Sequence, residues 1–155
     1  MLIFLLFYLV IWPLTVLLHE IGHGLGVVFT SKCHAHIYLG NTNENNREKF
    51  RLGRLHFHII WSYEGYCYWG YELNKKQRVI SLVGGPAMSL LVTLICLLFT
   101  FNTSLGDLYS LLWATTVLNF SQFLFTIIPI TYPRWMRGYS GFPSDGLQLL
   151  RMLRN

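Results

Sequence analysis

Stretches that lack Lys, Arg, Asp and Glu divide the chain and set the first expectation about its structure. They cover residues 1–18, 79–106 and 108–133. Apolar segments of this length are typical of transmembrane helices. The predicted helices run over about 2–29, 79–101 and 108–128. Pro13 is expected to kink the first helix and to leave the carbonyl of Leu9 without its helical partner.

The segment between the first two predicted helices has a different pattern. Cys33–Leu39 and Phe50–Trp61 alternate as strands do, and Trp61–Tyr71 is rich in Tyr and Trp, which prefer the headgroup level of a membrane. We predict a small interfacial β-sheet within about 33–71. An aromatic belt that only anchors the loop is the alternative. The pattern as a whole predicts a single-domain, mainly α membrane protein that ends in an Asp-Gly segment and tail over 131–155.

The net charge of +5 does not indicate a nucleic-acid partner, because the basic residues are confined to two places. All twelve Lys and Arg lie within 32–78 and 134–154, and the link Asn102–Asp107 has none. Positive residues stay on the cytoplasmic side of a membrane. We therefore predict a multi-pass protein with its N-terminus outside and its C-terminus in the cytoplasm. Its small size favours a bacterial cell membrane, and the lipid bilayer is an expected partner.

The first helix carries the sequence His19-Glu20-Ile21-Gly22-His23, an HExxH motif. Residues four apart lie one turn apart on nearly the same face of a helix, so both imidazoles can point at one metal ion. Glu20 can then reach a water molecule on that ion as a general base. HExxH also arises by chance, but ionisable residues inside an apolar helix are costly and mark functional sites. We predict that His19 and His23 bind Zn²⁺.

A catalytic zinc requires a third protein ligand, and several later residues are available. The loop glutamates have basic neighbours and are interpreted as solvated charges: Glu44, Glu48, Glu64 and Glu72. Asp107 lies in the turn that is predicted on the far side of the membrane. Asp145 is expected on the same side as the end of the first helix. From the residues alone, Asp145 is either a zinc ligand or the N-cap of a tail helix.

Three motifs occur in order along nearly the whole chain. They are HEIGH at His19–His23, Gly84-Gly85-Pro86 in the second helix, and Asp145-Gly146 after the third. This arrangement resembles the site-2 protease family of intramembrane zinc metalloproteases, whose core has three helices. The resemblance implies that Asp145 is the third zinc ligand.

The same resemblance suggests residues that contact substrate. Gly65-Tyr66 is similar to the Gly-Tyr of the family's membrane-associated β-loop, and Asn119 matches its run towards Asp-Gly. Two positions depart from the family pattern, because Ser89 and Thr126 stand where Asn is usual. These departures concern contacts that the Asn side chains make with substrate.

Two further histidine pairs have the spacing of residues on one face of a strand. They are His34 with His36 and His56 with His58. If the two strands pair, four imidazoles could converge on a second metal ion. We favour the alternative, in which these histidines pack among aromatic side chains, because no carboxylate is clearly placed with them.

The predicted function is a zinc-dependent intramembrane endopeptidase that cuts a peptide bond in or near a transmembrane segment of a membrane-anchored protein or peptide. The interfacial β-region is expected to accept the unwound part of the substrate as an added strand. The alternative is a membrane protein that holds zinc without proteolysis, or an accessory factor in peptide maturation or export.

Overall fold

The computed structural model describes residues 2–70, 73–104 and 106–154. The α-helices are α1 (Leu2–Leu6), α2 (Trp12–Thr30), α3 (Lys75–Asn102), α4 (Gly106–Ile127) and α5 (Asp145–Arg154). The strands are β1 (Ala35–Leu39), β2 (Glu48–Leu52), β3 (Leu55–Ile59) and β4 (Gly65–Trp69). The predictions that concern Tyr71 and Glu72 fall outside the described residues.

Within the described part of the chain, three helical segments are long and apolar enough to cross a membrane: Ile3–Thr30, Lys75–Asn102 and Gly106–Ile127. This confirms the three long apolar helices that were predicted. It also confirms that the strands lie between the first and second of them along the chain. The second begins four residues earlier than predicted, because Asn74 and Gln77 form a reciprocal capping box at its start.

The first of these segments changes its helical winding just before Pro13. A π-helical turn, Phe7–Ile11, joins α1 to α2. Pro13 cannot donate a backbone hydrogen bond, and the carbonyl of Leu9 instead accepts one from the indole Nε1 of Trp61 at 2.6 Å. The carbonyl group that Pro13 leaves without a helical partner therefore bonds the N-terminal part of the helix to the loop after β3.

The four strands form one sheet in the order β2-β3-β1-β4. β1 runs parallel to β3 and antiparallel to β4. The stretch predicted as one strand, Phe50–Trp61, is split into β2 and β3 by a turn at Gly53, whose φ of +59° favours glycine. The aromatic segment contributes β4, which is an edge strand.

One face of the sheet packs against α2 and forms the core of the fold. The inward side chains of β1 are fully buried, and they belong to Ala35, Ile37 and Leu39. Ala35 and Ile37 pack in one cluster with residues from α2 and β3, among them Val27 and Phe57. The sheet can approach α2 closely because Gly24 has no side chain where Ile37 and Leu55 make contact.

Glycines also bring α2 and α3 together. A Cβ atom on Gly22 would collide with the backbone of Gly84, and one on Gly84 would collide with the backbone of Gly22. Gly26 lies in the same way against Ser81. Such small-residue surfaces allow helices to approach to backbone contact, where dispersion forces and polar contacts hold them.

We expect Gly22→Ala to destabilise the protein by about 1–3 kcal/mol, because the added methyl group overlaps the α3 backbone. Thermal unfolding in detergent micelles measures this loss. Gly70→Ala is the matched control, since a Cβ atom at Gly70 meets nothing within 4 Å. Equal melting temperatures for the two variants would contradict the packing assigned to Gly22.

Candidate metal centre

The two histidines of the HExxH motif lie side by side in the interior. His19 and His23 are both buried on the face of α2 that meets α3. Their Nε2 atoms are 3.2 Å apart. Asp145 is the first residue of α5, and its Oδ2 lies 3.4 Å from each of these nitrogens. Residues from the two ends of the chain therefore meet at one point.

The spacing of these three atoms suits a metal ion. A tetrahedral zinc ion at about 2.0–2.1 Å from its ligands holds the ligand atoms about 3.3–3.4 Å from one another. The separations of 3.2, 3.4 and 3.4 Å come close to that triangle. Among the described residues, this is the one group of three His, Cys, Asp or Glu side chains able to share a metal ion. Two imidazoles and a carboxylate fit zinc, although they do not identify it.

The outer nitrogens of both imidazoles have partners on α3. His23 Nδ1 donates to the carbonyl oxygen of Ser81 at 2.7 Å, and in the neutral form of His23 this leaves the lone pair that a metal needs on Nε2. His19 Nδ1 lies 2.8 Å from Ser89 Oγ, which can accept the same kind of hydrogen bond. Gly85 lies between these contacts, and any Cβ atom there would collide with the Nε2 atoms of both histidines.

Asp145 is positioned by its neighbours rather than by capping a helix. Ser144 is fully buried and caps α5, since its Oγ accepts from Leu147 N at 3.2 Å and donates to Ile128 O at 2.7 Å. Gly146 packs against the last turn of α4 with no room for a side chain. The N-cap role that the sequence left open for Asp145 therefore belongs to Ser144.

The neighbouring imidazoles keep the Asp145 carboxylate ionised. Burial alone raises the pKa of Asp145, but charge on His23 and hydrogen bonds from His19 and His23 together outweigh burial. The pKa therefore lies well below the usual value for aspartate. An ionised carboxylate is the form that binds a metal ion.

Glu20 lies beside the ligand triangle without being part of it. Its side chain is buried and packs against Gly65, where a Cβ atom would collide with Glu20 and Val16. Glu20 lines the same cavity, of about 850 Å³, as His19 and Asp145. The arrangement places a carboxylate and the three possible ligands around one partly open cavity.

The substrate contacts predicted from the family resemblance fall into two groups. Gly65 and Tyr66 begin β4 and line the cavity, next to Glu20. Asn119 does not line it: its side chain is fully buried and its Nδ2 donates to Thr115 O within the same helix. This placement gives no support to the predicted substrate contact of Asn119, because neighbouring helices cover its side chain.

Aromatic side chains form much of the remaining cavity wall. They include Trp12, Tyr66, Trp69, Tyr139 and Phe142. Burial, assisted by the charge of Glu64, raises the pKa of Tyr66 to about 12, and burial also raises the pKa of Tyr139. Both phenols therefore stay neutral at physiological pH and can donate hydrogen bonds.

The histidines of the sheet form hydrogen-bonded pairs on its outer face. His34 Nδ1 lies 2.7 Å from His56 Nε2, and His36 Nδ1 lies 3.2 Å from His58 Nε2. Glu48, which the sequence suggested to be a solvated charge, contacts His56 Nδ1 at 2.8 Å. Burial and the neighbouring histidines lower the pKa of His36. These contacts agree with packing, the interpretation favoured from sequence, and the four residues do not form a metal group.

The sequence contains a signal for the α3 contacts besides the three motifs. Small or polar residues recur at every fourth position of this apolar helix, and all are buried: Ser81, Gly85, Ser89 and Thr93. A spacing of four places them on one helix face. That face meets the HExxH histidines. Ser89, which stands where the site-2 protease family usually has Asn, contacts His19 Nδ1 from this face.

Comparisons of the chain with protein-family models, with curated proteins and with solved structures give no match. The family resemblance therefore rests on the motifs and on their order in the chain.

We expect Ser89→Ala to weaken zinc binding about 10- to 100-fold, the usual effect of removing a hydrogen-bond partner from a metal-bound histidine. Competition with a chromophoric chelator measures this affinity in micelles. Ser110→Ala is the control, because the Ser110 hydroxyl donates only to Gly106 O within its own helix. An unchanged affinity for Ser89→Ala would show that Ser89 does not orient His19.

Proposed function

We propose that this chain is a zinc-dependent intramembrane endopeptidase. The observation that carries the proposal is the placement of Glu20 beside the triangle of His19, His23 and Asp145 in one buried cavity. Three protein ligands leave one position of a tetrahedral zinc ion open, which is the arrangement of catalytic sites. A structural zinc site has four protein ligands and no use for a base beside it.

The proposed chemistry divides between the metal ion and the chain. When bound, zinc supplies Lewis acidity, which lowers the pKa of a coordinated water to about 7 and polarises a carbonyl oxygen. Glu20 accepts a proton from a water molecule as that water attacks the peptide carbonyl. It then donates the proton to the departing amine. The Ser81 carbonyl oxygen accepts from His23 Nδ1, and Ser89 Oγ is placed to accept from His19 Nδ1, which leaves each Nε2 for the metal ion.

The membrane location supports this substrate class. Three apolar helices surround the site, and its two histidines lie within the first of them. A transmembrane helix has no free backbone for a protease to attack, so the substrate has to unwind and present an extended segment. We propose a membrane-anchored protein or peptide as the substrate, in line with the resemblance to the site-2 protease family.

The edge of β4 is the proposed docking place for that segment. Within the described residues, β4 has β1 on one side and no strand on the other. Gly65 touches Glu20 at one end of the strand, and the ring of Trp69 lies 6.5 Å from the ring of His23 at the other. A peptide added along β4 would therefore run past the catalytic groups, with main-chain hydrogen bonds holding it extended.

We expect Glu20→Gln to keep zinc near one ion per chain and to lower cleavage by about 10²–10⁴-fold, because the amide cannot accept the proton. Metal analysis of the purified protein and proteomics of membrane peptides, comparing cells with the active and the Glu20→Gln forms, measure the two effects. Cleavage at the parent rate by Glu20→Gln would refute the role of Glu20 as the general base. The same peptides in cells with either form would refute the hydrolase and leave a protein that only binds zinc.

We expect Cys67→Pro to reduce cleavage by about 10-fold or more while leaving zinc content unchanged, because proline removes one backbone donor from the strand edge. The N–H and C=O groups of Gly65 point away from β1, towards the open edge of the strand. Because alternate residues of a strand point the same way, the N–H of Cys67 also points to this edge. Cys67→Ala is the control, since it removes the thiol and keeps the N–H. Equal cleavage by Cys67→Pro and Cys67→Ala would exclude strand addition along β4.

A further inference from the structure

The edge of β4 already has an occupant at the point nearest Glu20. The hydroxyl oxygen of Tyr139 accepts a hydrogen bond from Gly65 N–H at 2.7 Å and donates one to Gly65 C=O at 3.3 Å. One phenol thus makes both bonds that a residue of an added strand would make with Gly65.

Further contacts hold Tyr139 in this position. Its ring lies 5.5 Å from that of Tyr66, whose own hydroxyl donates to Gly138 O at 2.8 Å. Gly138 packs against the carboxylate of Glu64 so closely that a side chain at this position would collide with it. The residues that make these contacts lie at the start of β4 and in the loop just before it.

The segment that carries Tyr139 closes on itself as a loop. Thr131 and Pro143 form an isolated β-bridge at its base, and Tyr132 exchanges backbone hydrogen bonds with Phe142 and Gly141. Its ends join α4 to the Ser144-Asp145 turn. The base is also held independently of β4, because Ser144 N–H donates to Ile130 O at 2.9 Å.

We infer that the 131–143 loop competes with substrate for the edge of β4, and that Tyr139 must leave Gly65 before an extended peptide can bind there. This inference rests on the proposed function, since it concerns the same strand edge. The loop then regulates access: only a peptide that forms enough strand contacts displaces it. The fraction of molecules with the edge free sets the apparent affinity for the peptide.

Tyr139→Phe tests this competition, because it removes the hydroxyl and keeps the ring. The test uses the full-length zinc-loaded Glu20→Gln protein in micelles, with dye-labelled unfolded β-casein as an extended probe and fluorescence anisotropy as the readout. We expect Tyr139→Phe to lower the Kd for the probe about 3- to 10-fold. Tyr109→Phe, on an exposed part of α4, is the control and should leave the Kd unchanged. An equal or higher Kd for Tyr139→Phe overturns the inference.

Hydrogen exchange at the Gly65 amide provides a second measurement that needs no ligand. The amide should exchange faster in Tyr139→Phe than in the parent protein or in Tyr109→Phe, and an unchanged rate would also overturn the inference. Cleavage of membrane peptides by the protein with Glu20 intact reports separately on the hydrolase. Absent cleavage together with tighter binding by Tyr139→Phe would refute the protease and retain the competition.

Discussion

Two imidazoles buried between helices need a partner for every ring nitrogen, and this requirement organises the structure. His19 and His23 face α3, which supplies Ser89 Oγ and the Ser81 carbonyl to their outer nitrogens. Their inner nitrogens face each other and Asp145. These three groups could hold a metal ion, which would satisfy all of them at once in an interior where unpaired polar groups are costly.

The same requirement explains why glycine is needed at several helix contacts. Hydrogen bonds of 2.7–2.8 Å from α2 side chains to α3 are possible only if the helices approach closely. Gly22 and Gly84 provide that approach, and Gly85 leaves space for the two imidazoles. At the other end of the chain, Gly146 lets the Ser144-Asp145 turn fit against α4. The geometry of the candidate metal site therefore depends on the close packing of the helix backbones.

Much of this arrangement was predictable from local patterns. The uncharged stretches predicted the three long helices, and the HExxH spacing placed His19 and His23 on one helix face. The motif order predicted that Asp145 would join them, which residue spacing alone could not decide. The split of Phe50–Trp61 into two strands depends on one backbone angle at Gly53, and the burial of Asn119 depends on how α4 is rotated. Both are set by tertiary contacts, which a single sequence does not reveal.

The bond from Trp61 to the Leu9 carbonyl has a consequence for the depth of the sheet. Leu9 lies 21 residues before Thr30, which is roughly 30 Å along a helix, so the loop after β3 reaches almost the full length of the first apolar segment. The ring contact between Trp12 and Tyr63 keeps the following residues alongside that segment. In a bilayer, β4 would then lie at hydrocarbon depth, where open strand edges facing lipid do not occur. Its edge can exist there only where protein covers it or where it lines a water-filled cavity, and the contact with Tyr139 and the cavity beside Glu20 provide these two conditions.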